Sequence, residues 1–280
     1  MSMNKQTLQL SITPVSCQEW PVIENMFAAT FQHDIYFPLM RRRLNLARQF
    51  SCVSTTISTL LAGNVYLLRA DNYPAGFLLL KKTGDKQKHL HYVAVAPEFR
   101  QQGLGRELVS FAIKAAHEHG ADIFLETEVG SPAMKLYSSL GFTVDNQFHI
   151  FSLVSPAVLP GEQTTTVELR TVEENRSILT RAKEWLLGYN ASVLACNSET
   201  KMPLNFHICR PASGGFGIIH CNLHSNSIEL LYQILPQLAF HMKNSGGAYL
   251  VLSGADWVNL DSPWLCKRTD YVTMTRKHQA

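Results

Sequence analysis

One stretch in the first half of the chain constrains its fold more than any other. It contains an extended segment from His89 to Val95, then Pro97, then the string RQQGLG from Arg100 to Gly105, and then an amphipathic helix. The apolar residues of that helix recur at three- and four-residue spacing, which is typical of a helix with one buried face. The sequence therefore predicts a strand–loop–helix unit whose glycine-bearing loop opens the helix.

The glycines of this loop allow a chemical and a purely structural interpretation. The first N–H groups of a helix have no partner within the helix and lie at the positive end of its dipole, so they can hold a phosphate. Glycine lets an anion approach these amides because it has no side chain. Many helices begin near glycine for turn geometry alone, so the loop by itself leaves both interpretations open.

Composition narrows the class of protein. The chain has 280 residues, which corresponds to about two domains of ordinary size. Its 25 basic and 22 acidic residues give a net charge of +3, which gives no reason to expect a nucleic-acid partner. The longest uncharged stretch, Ser51 to Leu68, is too rich in Ser, Thr, Asn and Gly for a membrane helix. We therefore expect neither nucleic-acid nor membrane association.

The cysteines and the first residues indicate a cellular compartment. The six cysteines form no Cys-x-x-Cys pair, a distribution that suits reduced thiols. The first twenty residues alternate between apolar and polar and lack the continuous apolar run of a signal peptide. We expect a cytoplasmic protein without disulfides.

The order of elements predicts an α+β fold. Ser16 is expected to cap a helix that carries Trp20, Ile23 and Phe27. Strands at 65–70, 77–81 and 89–95 follow in quick succession and are separated by short turns, one of them at 72–76, so they form an antiparallel meander. After the loop and its helix come a strand at 123–128, a short helix that ends at Gly141, and a further strand. The sheet is thus mixed, mainly antiparallel, and flanked by helices.

A boundary between two domains is expected near residue 160. The segment from Val154 to Thr166 contains two prolines, a glycine and three consecutive threonines, without apolar periodicity. We predict a first domain at 1–155, a linker at 156–166 and a second domain at 167–280. The second half repeats the order of elements of the first, although no sequence period is visible.

Two motifs in the first domain resemble those of one protein family. The string VAVAPEFRQQGLGRELV resembles the acyl-CoA pyrophosphate motif of the GCN5-related N-acetyltransferase (GNAT) superfamily, with Arg100, Gly103 and Gly105 at its fixed positions. About thirty residues further on, SPAMKLYSSLGF is similar to a second motif of the same family, which includes Tyr137. Two motifs in the right order and at the right distance make the resemblance specific.

The resemblance implies the acyl-CoA N-acyltransferase fold and acetyl-CoA as cosubstrate, with no metal. It implies that main-chain groups of Val93, Ala94 and Val95 bind the pantetheine arm, and that Arg100 belongs to the pyrophosphate motif. By the same resemblance, the diphosphate would bind the loop amides of Gln101, Gln102, Gly103, Leu104 and Gly105.

The resemblance also suggests catalytic groups. Tyr137 holds the family position of the general acid that protonates the departing thiolate, although an aromatic residue on a short helix is often simply part of the core. His89 stands where related enzymes carry a Glu base, and His91 follows it on the same face. His89 can equally be a surface residue of a half-exposed strand, and Glu126 and Glu128 on the next strand are rival bases.

The three consecutive arginines Arg41, Arg42 and Arg43 could anchor a substrate. Consecutive residues point in three directions around a helix, so a solvated face is the favoured interpretation.

The second half is predicted to be a degenerate copy of the first. No glycine or arginine precedes the helix expected near Ile228, and Pro236 is expected to break or kink that helix. A zinc site is an alternative for the second half, but ordinary strand and turn residues are favoured because the Cys-x-x-Cys spacing is absent. The residues considered for it are His207, Cys209, His220, Cys221 and His224.

The sequence therefore predicts an N-acetyltransferase that moves an acetyl group from acetyl-CoA to a primary amine by direct attack. The acceptor is expected to be a small molecule or a peptide, and a homodimer is left open. The alternative is a non-catalytic acyl-CoA sensor whose C-terminal domain contacts a partner protein.

Overall fold

The computed structural model describes residues 8–154, 168–172, 184, 187, 189–197, 204–211, 217–221, 228–242, 247–254, 257 and 260–278. The chain divides into two compact units, one formed by Met1–Val144 with Met274–Ala280 and the other by Asp145–Thr273. The first segment of unit one ends at Val144, before the predicted end of the first domain at 155, and the last residues of the chain belong to the first unit. The predicted linker at 156–166 lies outside the described residues.

The first unit is a mixed sheet with helices, as predicted. Its first five strands lie in the order β1-β2-β3-β4-β5, and each neighbouring pair is antiparallel except β4 with β5, which is parallel. The α+β fold class is confirmed. The elements are β1 (Leu10–Pro14), α1 (Trp20–Phe31), α2 (Phe37–Ser51), α3 (Thr55–Ala62), β2 (Asn64–Ala70), β3 (Tyr73–Lys82), β4 (Gln87–Val95), α4 (Leu104–His117), β5 (Asp122–Glu128) and α5 (Pro132–Ser139). Strand β6 (Thr143–Leu153) begins in this unit and continues into the second.

The start of α1 differs from the prediction. Glu19 occupies the N-cap position, and the N–H and Oγ of Ser16 both donate to the Glu19 carboxylate, at 2.9 and 2.6 Å. Glu19 also pairs with Arg69 of β2. Ser16 therefore holds the acidic residue before the helix instead of capping the helix itself.

The turn between β2 and β3 is shorter than predicted. Asp71 and Asn72 have φ angles of 49° and 68°, and Ala70 pairs directly with Tyr73. A two-residue hairpin loop with two left-handed residues is the turn that suits the twist of antiparallel strands. Strand β3 therefore begins at Tyr73, and Gly76, which was assigned to a turn, lies inside the sheet.

Helix α4 packs its apolar face on β3 and β4, which fixes the loop that precedes it. This face is fully or almost fully buried and consists of Leu104, Leu108, Val109, Ala112, Ile113 and Ala116.

The C-terminal residues of the chain bind within the first unit. The Arg276 guanidinium donates to the carbonyl of Leu140. The main-chain N–H of His278 donates to Asp122 Oδ1 at 2.8 Å, and Lys277 pairs with the other oxygen of that carboxylate at 3.2 Å. These bonds attach the last described residues to the start of β5 and the end of α5.

The second unit repeats part of the topology of the first. Its strands lie in the order β6-β11-β10-β9-β8-β7, and β10 and β11 are parallel, as β4 and β5 are. In each unit an α-helix lies between the two parallel strands along the chain. The elements are β7 (Glu168–Val172), β8 (Tyr189–Asn197), β9 (Leu204–Pro211), β10 (Gly217–Cys221), α6 (Ile228–Met242), β11 (Ala248–Ser253) and β12 (Leu265–Arg276).

Helix α6 is continuous through Pro236, so of the two expected effects, a break or a kink, the break is absent. The helix buries Leu231, Leu235 and Leu238 in the core of the second unit, together with Phe151 and Leu250. This apolar face stabilises the helix through packing.

The residues considered for zinc lie on neighbouring strands. His207 and His220 are opposite each other on β9 and β10, and His224 lies outside the described residues. In the part of the chain that the structure describes, no three His, Cys, Asp or Glu side chains form a group able to hold a metal ion. No helix in that part is both long and apolar enough to cross a membrane.

Candidate active site

The site lies where β4 and β5 separate. The parallel register covers Gln87, Lys88 and His89 of β4, and it ends where His89 pairs with Phe124. Beyond that point β4 continues to Val95 and β5 continues to Glu128. The second half of β4 is therefore paired with β3 on one side and has an open edge on the side of β5.

The direction of the main-chain groups on β4 decides which of them face this open edge. The N–H of Ala96 donates to the Ala75 carbonyl at 2.9 Å, toward β3. Because successive N–H groups of a strand point to opposite edges, those of Val93 and Val95 point to the open edge. The Ala94 carbonyl points to β3, since a Cβ on Gly76 would lie 2.6 Å from it. Of the three predicted pantetheine-binding residues, Ala94 therefore does not fit the prediction, because its main-chain groups face β3 and pair with that strand.

The loop before α4 presents a run of unpaired amides. Within residues 8–154, no acceptor is found for the main-chain N–H groups of Gln101, Gln102, Gly103, Leu104 and Gly105, whereas Arg106 N–H already bonds to the Gly103 carbonyl at 2.9 Å. Five consecutive amides at a helix N-terminus form a concave group of donors that suits a diphosphate.

The backbone conformation of this loop explains why residue 103 is a glycine. Gln101 and Gly103 have φ angles of 61° and 83°, and Gly103 is the N-cap of α4 in left-handed conformation. A Cβ at Gly103 would meet nothing within 4 Å. Gly103 is therefore required for its conformation and for access to the amides, not for close packing.

Two side chains of the motif hold the loop together. Arg100 donates from Nε to the Val95 carbonyl at 3.1 Å, and Gln102 donates from Nε2 to the Glu98 carbonyl at 3.2 Å. Arg100 therefore connects the loop to the end of β4, and its remaining guanidinium nitrogens are exposed. Leu104 is anchored in the core, so its amide position is fixed by packing.

Helix α5 brings Tyr137 to the same end of the unit. Ser131 caps the helix by accepting from the Met134 N–H at 3.2 Å, as predicted. The first turn of α4 holds α5 in place, because Arg106 Nη2 donates to Ser139 Oγ at 2.7 Å. A Cβ on Gly105 would lie 3.5 Å from Leu136, the residue before Tyr137.

Tyr137 is suited to remain protonated. Its side chain is 7% exposed, and no hydrogen bond to its hydroxyl is present among the described residues. Burial raises the pKa of Tyr137 to about 12. A neutral phenol that lacks an acceptor can donate a proton to a charged group that forms next to it.

His89 lies at the last paired position of β4. Its imidazole is partly buried, and burial, with a smaller effect of Lys81, lowers the pKa of His89 to about 4. The pKa of His91 is lowered further, to about 3, mainly by burial and then by the neighbouring His89. Both rings are therefore neutral at pH 7 and bind a proton weakly.

Glu126 lies on the open part of β5. Solvent reaches its side chain, but the surrounding protein partly desolvates the carboxylate and Asp34 repels it, so the pKa of Glu126 is raised. Glu128 is exposed at the end of the strand. The environment of Glu126 therefore makes its carboxylate a better proton acceptor than an ordinary glutamate.

The first unit matches a known protein family. Residues 23–142 match the model described as the acetyltransferase (GNAT) family. The N-terminal unit is a GNAT domain. Members of this family are acyltransferases that take their acyl group from an acyl-CoA. No curated protein matches the chain.

Solved structures extend the GNAT fold over both units. A GCN5-related N-acetyltransferase from Sphaerobacter thermophilus has 13% identity and a TM-score of 0.65, with 98% of each chain covered. A tandem GNAT protein from the clavulanic acid biosynthesis pathway has 12% identity and a TM-score of 0.60, with 97% of this chain and 99% of that chain covered. A GCN5-related N-acetyltransferase from Anabaena variabilis has 12% identity and a TM-score of 0.53, with 97% of this chain and 73% of that chain covered. At these identities the likeness establishes the fold.

The residues of the GNAT domain fit an acyl-CoA. The five loop amides suit its diphosphate, and the N–H groups of Val93 and Val95 suit oxygen atoms of its pantetheine arm and thioester. Sequence reasoning missed Gly76, whose close contact with Ala94 lets β3 and β4 pack tightly, because its position was assigned to a turn.

Proposed function

We propose that this chain transfers an acetyl group from acetyl-CoA to a primary amine by direct attack. The observation that carries the proposal is the run of five unpaired amides, Gln101 to Gly105, beside the open edge of β4. This edge leads from the diphosphate donors toward the place where β4 and β5 separate. The acyl-CoA supplies an activated carbonyl group and a thiolate leaving group.

The residues of the chain provide the remaining chemistry. Glu126, on the open part of β5, accepts a proton from the incoming ammonium group, so that the neutral nitrogen can form a bond to the carbonyl carbon. The Val93 N–H, which lies farther along the open edge from the diphosphate donors than the Val95 N–H, donates to the carbonyl oxygen as negative charge develops there. The carbon–sulfur bond breaks, and Tyr137 donates its proton to the thiolate. The acylated nitrogen, which is still positively charged, releases its second proton to water, and this proton restores Tyr137. The products are an N-acetylated amine and CoA with a free thiol.

We assign the base to Glu126 in place of His89. An effective base has a pKa near the working pH, and the pKa of His89 is lowered to about 4 while that of Glu126 is raised. His89 also lies within the paired part of β4, whereas Glu126 lies beyond it. His89 is therefore proposed to form a wall of the site.

A binding measurement and an activity measurement test the function. Acetyl-CoA at 100 times its dissociation constant should stabilise the fold by about 2.7 kcal/mol, read as a rise in melting temperature. Release of the CoA thiol is then followed with a broad panel of primary amines. A thermal shift without thiol release from any amine would favour the sensor, and no shift with any CoA ester would overturn both functions.

Matched variants test the two catalytic roles. Tyr137→Phe should lower kcat by about 10- to 100-fold with unchanged acetyl-CoA binding, and Tyr73→Phe, an exposed tyrosine, should leave kcat unchanged. Glu126→Gln should lower kcat/KM by about 100-fold or more and remove the acid limb of its pH profile. If Glu128→Gln abolishes that limb and Glu126→Gln retains it, the base is Glu128.

A further inference from the structure

Polar side chains meet an aromatic cluster on the face of β4 that packs against α1. The Tyr92 ring contacts Phe27 and Phe31 of α1 at centroid distances of 5.0 and 4.8 Å, and it contacts His91 at 4.6 Å. The register with β3 shifts between Leu79 and Leu80, which makes His91 the extra residue of a bulge. A bulge re-aims the side chains next to it, so neighbouring His91 and Tyr92 can both border the same site.

Three polar groups around this cluster have no partner among the described residues. The Tyr92 side chain is 7% exposed, and its hydroxyl makes no hydrogen bond there. The Nε of Arg43 on α2 is buried without an acceptor. The Glu126 carboxylate likewise has no hydrogen bond or ion pair within residues 8–154. Since buried polar groups are almost always satisfied, the buried Nε of Arg43 points to a bound molecule. The Tyr92 hydroxyl and the solvent-accessible Glu126 carboxylate are free to contact the same molecule.

The charges of Glu126 and Arg43 both reach the Tyr92 hydroxyl. Burial raises the pKa of Tyr92 well above its usual value, with further increases from Asp34, Tyr36 and Glu126 and an opposing decrease from Arg43. Glu126 and Arg43 nevertheless form no ion pair with each other. The two opposite charges therefore act on the same phenol without neutralising each other directly.

The other nearby carboxylate already has a structural role. Asp34 Oδ1 accepts from the Tyr36 N–H at 2.6 Å, which fixes the connection between α1 and α2. Arg42 is exposed, and Arg41 lies over the Phe37 ring. Of the three consecutive arginines, Arg43 is the one with a buried nitrogen lacking an acceptor, so the solvated face favoured from the sequence does not describe it.

We infer that Arg43 binds a carboxylate of the acceptor, and that the acceptor is therefore a small amino acid carrying its reactive amine and a carboxylate on one molecule. The inference rests on the proposed function, in which Glu126 receives the amine. A guanidinium forms paired hydrogen bonds with a carboxylate, and Tyr92 can donate to the same group. The site thus holds the two ends of a zwitterion between two fixed opposite charges.

The test compares matched acceptors. The ω-amino acids β-alanine and 4-aminobutyrate, free α-amino acids, and the primary amides of all of them are supplied with acetyl-CoA, and thiol release is measured. The change to an amide alters the basicity of the amine less in the ω-amino acids than in the α-amino acids, and least in 4-aminobutyrate, so a difference for 4-aminobutyrate reports recognition of the carboxylate. We expect at least one free acid to be used about 10- to 100-fold better in kcat/KM than its amide.

Variants of Arg43 test whether this residue causes the preference for the free acid over its amide. Arg43→Gln should raise KM for the preferred acid by about 10- to 100-fold with little change in kcat and little change for the amide. Arg43→Lys should restore part of the affinity, and Arg42→Ala, on the same helix, should behave as the wild type. Melting temperatures with acetyl-CoA check that each variant is folded.

Two results would overturn the inference without affecting the proposed function. One is equal use of acids and amides by the wild type, and the other is an equal loss for acids and amides in both folded Arg43 variants. If no amine of any kind releases the thiol, the proposed function itself fails, which is a separate outcome.

Discussion

The imidazole of His89 stacks face to face on the ring of Phe124, with centroids 4.4 Å apart and planes 10° from parallel. The two residues are also the last pair in the register between β4 and β5. The stacked rings therefore close the paired part of the two strands, immediately before the open edge. A ring buried in this way stabilises the point of separation and is poorly suited to take up a proton.

Acid should destabilise the first unit through these histidines. The pKa values of His89 and His91 are lowered to about 4 and about 3, so the folded state favours neutral rings. Their contribution to stability is present above the unfolded pKa of about 6.5 and is lost as the pH falls toward 4. We expect the free energy of unfolding to fall by about 1–3 kcal/mol between pH 7 and pH 4.5.

Urea unfolding of the full chain at several pH values measures this effect. The double variant with His89→Phe and His91→Phe should show a weaker decrease, because its rings cannot be protonated. An identical decrease in the variant would assign the acid sensitivity to other groups.

Replacement of Gly103 should weaken acetyl-CoA binding. Gly103→Ala and Gly120→Ala both place a side chain at a left-handed φ, 83° and 61°, with nothing within 4 Å. Each should therefore cost about 1 kcal/mol of stability. Only Gly103 belongs to the amide run, so only its variant should raise the dissociation constant of acetyl-CoA in a calorimetric titration. Equal affinities of the two variants would contradict the proposed diphosphate site.

Gly76 should tolerate no side chain. A Cβ there would lie 2.6 Å from the Ala94 carbonyl and 3.1 Å from Leu108, so β3 and β4 would have to move apart. Gly76→Ala should lower the free energy of unfolding by about 1–3 kcal/mol. Gly84→Ala is the control, because nothing lies within 4 Å of its Cβ. Thermal unfolding compares the two, and an unchanged melting temperature for Gly76→Ala would show that the strands adapt.

Loss of the cap of α5 should affect catalysis as well as stability. Ser131→Ala removes the acceptor of the Met134 N–H and should cost about 1 kcal/mol. Ser54→Ala removes the equivalent cap of α3, where Ser54 accepts from the Ile57 N–H at 3.3 Å, at a similar cost. Only α5 carries Tyr137, so only Ser131→Ala should lower kcat. Equal kcat values would mean that the cap has no influence on the position of Tyr137.

The loop and its helix could be predicted because their signals are local. Glycines at fixed spacing, an apolar helical face and the Ser131–Pro132 cap each act within a few residues, so the sequence alone predicted α4, the amide run and the start of α5. Helix α3 was not anticipated, since its threonines are weak helix formers and the helix depends on the Ser54 cap and on packing.

The details of the site depend on contacts between distant residues. The main-chain groups of Ala94 point either to β3 or to the open edge, depending on the hydrogen-bond register between β3 and β4. The local sequence does not encode this register. The buried nitrogen of Arg43 depends on the packing of α2, and the lowered pKa of His89 depends on the burial around Phe124. Such properties follow from tertiary structure, and pattern analysis of one strand or helix cannot supply them.

The first unit includes Met274–Ala280 as well as Met1–Val144, so the gene cannot be shortened to this unit with a single stop codon. Any early termination removes the partners of Asp122 and Leu140 and leaves the region that carries Tyr137 incomplete. Expression of the first unit in isolation would instead require a circular permutation, or a short engineered linker that joins Met274–Ala280 to Met1–Val144.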